Sequence, residues 1–257
     1  MPLPSVGHSI GSPFIELLSV DSTNNYALAQ IHANLAQEGT CFFAHEQTAG
    51  KGQRGKSWAT EKGSNITLSI VLKPSFLQVF QQFRLSACAA VATQLFLSDH
   101  TGNAAKIKWP NDIYWKDNKI AVVLIENIVR GSASGQGRWE WAVVGIGVNI
   151  NQTDFPSYLK NPVSLKQITG KNYNTVEMAK QLCRSIDLFY NKLLDDKVDL
   201  ILEEYNAHLY KKNEVVKFKI ENRIFEARVK SVNDAGQLVV EDAIEETFDF
   251  GKIEWIL

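Results

Sequence analysis

Polar and apolar positions follow two periods that alternate along this chain. Runs at 14–20, 40–45 and 66–72 are apolar or alternate every second residue, the pattern of strands. After the first, Tyr26, Leu28, Ile31 and Leu35 recur at roughly helical spacing, behind Asp21 or Ser22 as N-cap. Capping needs one such side chain, so Ser22, Thr23 and Asn24 in a row are a surplus of polar groups. Residues 78–98 set Val79, Phe83, Leu85, Ala89, Val91, Leu95 and Phe96 at helical intervals and predict a buried helix with nothing catalytic in it. Alternation over 104–109 predicts a strand whose Trp109 is kept extended by Pro110. Runs at 113–116 and 119–127 flank Asp117-Asn118 and predict a β-hairpin. A surface turn over 130–137 leads to a strand at 139–144, then to Gly145-Ile146-Gly147-Val148-Asn149. There, glycines in an apolar strand mark close approach by side chains or a ligand. Residues 152–170, with two prolines and little periodicity, read as a mobile loop, and 176–210 as one or two helices covering the sheet. From Glu214 the runs are short and alternating, at 215–218, 225–229, 237–240 and 247–250, with turn signals at Glu221-Asn222 and Asp234-Ala235-Gly236. The predicted architecture is α+β: a mixed β-sheet with covering helices over 1–210 and a small β-barrel over 211–257.

Candidate chemistry concentrates in Gly50-Lys51-Gly52-Gln53-Arg54-Gly55-Lys56-Ser57-Trp58. Three glycines among cations and an indole give a backbone that can approach a ligand and bind anionic oxygens. Gly50, Gly52 and Gly55 spell a dinucleotide fingerprint, which needs a following helix and an acidic residue about twenty positions on. From Lys62 to Ser98 there is no Asp or Glu. Gly50 to Ser57 also spells a P-loop, which needs Lys56 and Ser57 in the first turn of a helix. The next apolar run, 66–72, reads as a strand, so neither motif has its context. A solvated glycine hairpin is the plainer alternative.

Lys106-Ile107-Lys108-Trp109-Pro110-Asn111-Asp112 is the second informative stretch. With the turn at Asp117-Asn118, Asp112 falls opposite Val123 and shares a face with Lys119, which lies about 13 Å along the ribbon. Only an elongated ligand or a bulge would bring the two to one reaction.

Length and composition narrow the classes. The 257 residues are 45% hydrophobic and 21% charged, enough for one sizeable core and a small second module. A formal net charge of -1 argues against a nucleic-acid partner. Three scattered cysteines, Cys41, Cys88 and Cys183, in apolar surroundings suggest buried thiols in a reducing compartment. Neither a signal peptide at Met1-Pro2-Leu3-Pro4 nor a bilayer-spanning run is seen, so a cytoplasmic protein is expected.

Taken in order, five stretches resemble biotin protein ligases: Asp21 to Asn24, Glu46 to Gly55, Lys108 to Asp112, Lys119 to Glu126, and Gly145 to Asn149. The likeness spans nearly the whole chain, including a terminal SH3-like barrel, and implies a catalytic sheet of the class II synthetase-like, lipoate–biotin ligase type. The family's optional N-terminal DNA-binding domain is not expected here. The resemblance implies two steps. Biotin attacks ATP to give biotinoyl-5′-adenylate and pyrophosphate, and a lysine of a biotin carboxyl carrier domain then takes the biotinoyl group. It implies that Ser22, Thr23, Asn24 and Gln47 bind the ureido ring, and that Gly50, Lys51, Gly52 and Gln53 line the acid, with Lys51 at its carboxylate. Arg54 and Lys56 would bind phosphates, with Mg2+ offsetting the remaining charge and no protein-held metal. Trp58 would stack on adenine, and Asn65 and Asn149 would contact the nucleotide. Lys119 would stabilise charge in both steps. Asn111 and Asp112 would lie beside the reacting acyl group, Asp112 orienting or deprotonating the incoming lysine or helping to place the metal. A monomer or weak homodimer is implied.

Three positions depart from the family pattern. Gln53 and Lys51 stand where Arg is common, which loosens retention of the adenylate and removes a bidentate fork. Val122 stands where the K-x-x-G run has Gly, and its methyls would obstruct a ligand approaching the backbone. The rival readings are a lipoate ligase of the same chemistry, a P-loop hydrolase, and an inactive binding module that Val122 makes conceivable.

Overall fold

The structure is a computed structural model describing residues 9–131 and 137–256, with the side chain of Arg54 outside the description. The readings made for residues 1–4 and for most of the 130–137 turn fall outside the described residues. A seven-stranded sheet carries the site. Its elements are β1 (Phe14–Leu17), α1 (Thr23–His32), β2 (Cys41–Ala44), β3 (Ile66–Leu72), α2 (Gln82–Thr101), β4 (Ala105–Lys108), β5 (Asp112–Trp115), β6 (Asn118–Arg130) and β7 (Arg138–Val148). Strand order is β1-β2-β3-β7-β6-β5-β4. Only the β1–β2 pair is parallel, so the sheet is mixed as expected.

Strand alternation explains why the sheet has two unlike faces. Ile66, Leu68, Ile70 and Leu72 of β3 share one face with Val144, Ile146 and Val148 of β7 and Ala121 and Val123 of β6, all buried in the main core. Helix α2, followed by α3 (Leu165–Thr169), α4 (Thr175–Leu194) and α5 (Val198–Ala207), closes that face. Helix α2 is buried nearly all round because it lies between the sheet and α4. The opposite face is covered only in part: α1 lays Ala27 and Ile31 on Phe42, Val71 and Val143. The rest of that face carries Thr67, Ser69, Gly145, Gly147, Val122 and Leu124, and the site lies there.

Two readings need correction. The helix predicted over 78–98 starts as a 3-10 turn at 79–81 and runs as α2 to Thr101. Residues 152–170, read as a mobile loop, contain α3 and a docked segment. Lys119 donates its N–H to the Asn161 carbonyl (2.8 Å), and its own carbonyl accepts from the Val163 N–H (3.0 Å). Low periodicity hid this segment because its partners are backbone groups of a distant strand.

The second sheet is antiparallel, with β8 (Val215–Ile220), β9 (Arg223–Val232), β10 (Leu238–Glu241), β11 (Glu245–Phe248) and β12 (Glu254–Ile256) in order β11-β10-β9-β8-β12. It is the small SH3-like unit. Its β9–β10 turn rests on the first sheet's helical layer. Gly236, at φ +81°, leaves room for Phe83, whose ring would lie 2.5 Å from a Cβ there. Its carbonyl accepts from Trp109 Nε1 (2.9 Å). The three cysteines are buried free thiols, with Cys41 and Cys183 sulfurs 3.5 Å apart.

Candidate active site

Register sets the floor of the site. Thr67, Gly147, Val122, Asp112 and Lys108 lie in one row across β3, β7, β6, β5 and β4. The neighbouring row is Ser69, Gly145 and Leu124. Above these rows stands the N-terminus of α1. Ser22 is its N-cap but makes no side-chain capping bond, so its hydroxyl is not spent on the helix. Gln47 serves instead: its Oε1 accepts from the Thr23 N–H (2.8 Å) and hydroxyl (3.0 Å). The Ser69 hydroxyl lies 2.8 Å from Thr23 Oγ1 and 2.6 Å from Asn24 Oδ1. Asn24 Nδ2 donates to Glu126 (2.8 Å), and the other Glu126 oxygen is 3.5 Å from Lys51 Nζ. Asn24 reaches this position because residue 145 is Gly; a Cβ there would fall 2.3 Å from Asn24 Oδ1. The polar surplus at 22–24, Gln47 and Lys51 are thus brought together, around a cavity of ≈ 30 Å³.

The glycine stretch folds as a hairpin around a 3-10 turn at Gln53–Gly55. Gly50 accepts from the Trp58 N–H (2.8 Å), Gly52 donates to the Lys56 carbonyl (2.6 Å), and Lys51 bridges Ser57. A Cβ on Gly50 would meet the Trp58 carbonyl at 2.4 Å, a backbone clash that no side-chain rotation relieves. Trp58 is followed by an irregular segment and then β3, so the P-loop context is absent in the structure too. The Trp58 ring lies on Gly147, where a Cβ would be 2.6 Å from it. Its Nε1, and Oε1 of Gln53, are buried with no hydrogen-bond partner among the described residues. Between the glycine stretch and β6 is an open cleft of ≈ 530 Å³ lined by Lys51, Gly52, Lys56, Ser57, Leu124 and Glu126. That is the size of small-ligand sites, whereas the inner cavity holds little more than water.

At the far end of the floor the hairpin departs from its predicted register. The turn is Lys116-Asp117, with Lys116 at φ +52° and Trp115 opposite Asn118. Asp112 pairs with Val122 rather than Val123, and a bulge between Ile113 and Tyr114 sets Tyr114 opposite Lys119. The bulge replaces the expected separation of about 13 Å with an ion pair: Lys119 Nζ is 2.8 Å from Asp112 Oδ1. Asn111 is buried beside them. Its Nδ2 donates to the Val123 carbonyl (2.5 Å), and its own carbonyl accepts from the Val123 N–H (2.9 Å). Lys119 Nζ also lies 5.6 Å from the Trp58 ring centre.

Asn65 and Asn149 lie at the same end but are engaged inside the protein. Asn65 accepts from the Ile150 N–H (2.9 Å) and donates to Gln152 (2.6 Å). Asn149 donates to the Val163 carbonyl (3.1 Å), which fixes the segment docked on Lys119. Glu126, Ser69 and Lys108 were not singled out as site residues. Period two puts Glu126 on the Val122 face and Ser69 with Thr67 on the face opposite Leu68 and Ile70, so that signal was present. Lys108 is pushed down to about 8 by burial, with Asp112 opposing the shift. Burial likewise raises the phenol of Tyr114, which lies 3.3 Å from Lys108 Nζ.

The pattern of the biotin/lipoate A/B protein ligase family matches residues 17–149. The bifunctional ligase/repressor BirA of Bacillus subtilis is 28% identical over 215 residues, which are 81% of this chain and 63% of that protein. The biotin–[acetyl-CoA-carboxylase] ligase of Paracoccus denitrificans is 38% identical over 136 residues, 52% of this chain and 53% of that one. This chain therefore spans less than two thirds of either relative. Among solved structures, the biotin protein ligase of Aquifex aeolicus in complex with biotin and ATP superposes with a TM-score of 0.78 at 23% identity, covering 95% of this chain and 98% of that one. At that identity the match speaks to the fold.

Proposed function

Because the chain belongs to the biotin/lipoate A/B protein ligase family, we propose that it is an ATP-dependent biotin protein ligase. It would form biotinoyl-5′-adenylate and pass the acyl group to a lysine of a biotin carboxyl carrier domain. One observation carries the reading. A network of directed neutral groups on α1, β3 and the residue-47 loop meets an Asp112–Lys119 pair across one sheet face, with a cleft of ligand size between glycine loop and floor.

Thr23, Asn24, Gln47 and the free Ser22 hydroxyl supply donors and acceptors without net charge, which suits a cyclic urea better than a dithiolane. Lys51 already holds a carboxylate, that of Glu126, and the acid's carboxylate would take Glu126's place. The orphaned Nε1 of Trp58, which lines the inner cavity, would be satisfied by bound ligand. The inner cavity, ≈ 30 Å³, is too small for the acid, so Trp58 would move off Gly147 to admit it. Arg54 and Lys56 would then bind the triphosphate, Lys56 from the outer cleft that it lines, while Gly50 and Gly52 line the acid. Asn149 would support the nucleotide site through the segment that it holds on Lys119, and Asn65 through Ile150 and Gln152. Among the described residues no three His, Cys, Asp or Glu side chains cluster as a metal cage. Mg2+ would arrive with the nucleotide and offset the charge of its phosphates.

In the first step Lys119 would neutralise charge building on the carboxylate and α-phosphate oxygens. In the second it would hold the acyl oxygen as an amine attacks. Asn111 keeps the β6 backbone in place beside them. Past Val123 the outer edge of β6 has no strand beside it among the described residues, and the carrier would add a strand there. We assign the catalytic unit to 1–210 and the SH3-like unit to 211–257, working in the cytoplasm as a monomer or weak homodimer. The test is mass spectrometry of the purified chain after incubation with ATP, magnesium and either biotin or lipoate. Biotinoyl-adenylate is expected; lipoyl-adenylate alone, or no adenylate, would refute the proposal.

A further inference from the structure

Lys108 is the last residue of β4 and lies opposite Asp112 in β5, at the end of the row that begins with Thr67. Its Nζ is 3.3 Å from the Tyr114 hydroxyl, 4.8 Å from the Tyr114 ring centre and 5.9 Å from that of Trp255 in β12. The described charged groups that act on it are Asp112 from β5, Lys119 from β6 and Lys56 from the glycine loop. Asp112 has its ion pair with Lys119 at 2.8 Å, whereas Lys108 is in no ion pair among the described residues. It is therefore a cation set between two aromatic rings, on the reacting face, without an acid bonded to it.

We propose that Lys108 is a catalytic base of the transfer step, its neutral amine taking the proton that the acceptor nitrogen sheds. The assignment rests on the ligase reading above. The acceptor lysine attacks as the free amine, the C–N bond forms, and the C–O bond to AMP breaks with its electron pair left on the phosphate. The nitrogen then carries one proton too many for an amide, and Lys108 accepts it before releasing it to water. Asp112 is the weaker choice for this task. A carboxylate is far less basic than an alkylamine, and this one already accepts from Lys119. Three features favour the neutral amine. Burial between the rings disfavours the ammonium. Lys119 and Lys56 repel it. The Tyr114 phenol, held protonated by its own burial, donates to the amine once the proton has gone. An ordinary surface lysine is charged at neutral pH and takes up no proton.

The experiment separates the half-reactions in the full-length chain. Wild type, Lys108→Met and Lys108→Arg are loaded with acyl-adenylate and freed of excess ATP. They are then discharged in a single turnover, either by a biotin carboxyl carrier domain or by hydroxylamine, a weakly basic nucleophile. Wild-type transfer to the carrier is expected to rise with pH in two parts, first as Lys108 loses its proton near 8 and again as the acceptor amine is freed at higher pH; both variants are expected to lack the first part. At about pH 9 both variants are expected to transfer about 100-fold more slowly than wild type, yet to discharge to hydroxylamine at the wild-type rate. Native transfer by the arginine variant would reduce Lys108 to a fixed cation, and native transfer by the methionine variant would reduce it to packing. Equal slowing with both nucleophiles would indicate a distorted site. Any of these three results overturns the assignment while leaving the ligase reading intact. Failure of wild type to form an adenylate would overturn both.

Discussion

Gly145→Ala puts one methyl group where Asn24 now lies. The new Cβ would be 2.3 Å from Asn24 Oδ1 and 2.9 Å from its Cγ, so the amide must leave. Gly145 does not sit at positive φ, and alanine meets no backbone objection. The loss follows from the bonds broken. Asn24 is 3% exposed and gives up its contact with Ser69 (2.6 Å) and its bond to the Glu126 carboxylate (2.8 Å). A buried group left unsatisfied costs about 1–3 kcal/mol, and overpacking a comparable amount. The lower flexibility of the unfolded alanine chain returns about 0.4–1 kcal/mol. The net expectation is a destabilisation of ~2–4 kcal/mol. At roughly 2–4 °C per kcal/mol for a chain of this size, that is a drop in Tm of about 4–16 °C, read by calorimetry. Asn24→Ala alone loses the bonds but not the space. The double variant should therefore be more stable than the sum of the two singles by about 1–2 kcal/mol. Strict additivity, or a Gly145→Ala protein within about 0.5 kcal/mol of wild type, would show that the close approach of Asn24 to this glycine is not real. Biotin binding to the same variant should weaken in parallel, because the network proposed to bind the ring is what has been displaced.

Lys119→Ala is expected to lower biotin-dependent pyrophosphate release about 10²–10³-fold without unfolding the chain; near-native release would remove Lys119 from the chemistry. Glu126→Gln keeps an oxygen for Asn24 but frees Lys51. Since a part-exposed ion pair contributes only ~0.2–1 kcal/mol, biotin affinity by titration calorimetry should rise by up to about fivefold, and a fall would show that Glu126 does not compete for Lys51. Burial holds Lys108 at about 8 in the fold, against about 10.4 in the unfolded chain. Between these values the unfolded chain binds more protons, so stability climbs with pH, and below 8 the full cost of ~3 kcal/mol is present. Melts of Lys108→Met from pH 7 to 10 should be higher at the acid end and lack that rise; an unchanged slope would refute it.

The strands were legible because their side chains obey a strict period. Ile66, Leu68 and Ile70 could only have faced one way, and Thr67 and Ser69 the other. The polar surplus at 22–24 was legible for a related reason: a helix start consumes one capping group, and here Gln47 supplies even that from another element. What could not be read was anything resting on one residue of register. A bulge inside β5–β6 converted a distant pair into Lys119–Asp112, and nothing in Ile113 or Tyr114 announces it. The docking of Asn161 and Val163 on Lys119 was equally hidden, since backbone groups carry no sequence signal. Asn65 and Asn149 were implied at the nucleotide by the family resemblance alone, and the structure spends the amide of Asn149 on Val163 and that of Asn65 on Ile150 and Gln152.

Val122, the departure that most threatened the site on sequence grounds, acquires a different meaning from the rows it lies in. Beside it in β7 is Gly147, and beside Leu124 is Gly145, so both of these β6 side chains have a bare neighbour. The next strand, β3, answers with Thr67 and Ser69 in the same two rows. The floor is thus aliphatic along β6, hydroxylated along β3 and without side chains of its own along β7, where Asn24 lies on Gly145 and Trp58 on Gly147. Methyl groups at 122 thicken the aliphatic side without entering the polar one, where the Thr23, Asn24 and Ser69 contacts are made. A ligand with a hydrogen-bonding ring at one end and a saturated chain beside it would divide itself across that floor in the same way, its ring over β3 and its chain against Val122 and Leu124. The valine would then restrict the width of the slot along the chain, while the glycines of β7 make room for Asn24 and Trp58 to border it.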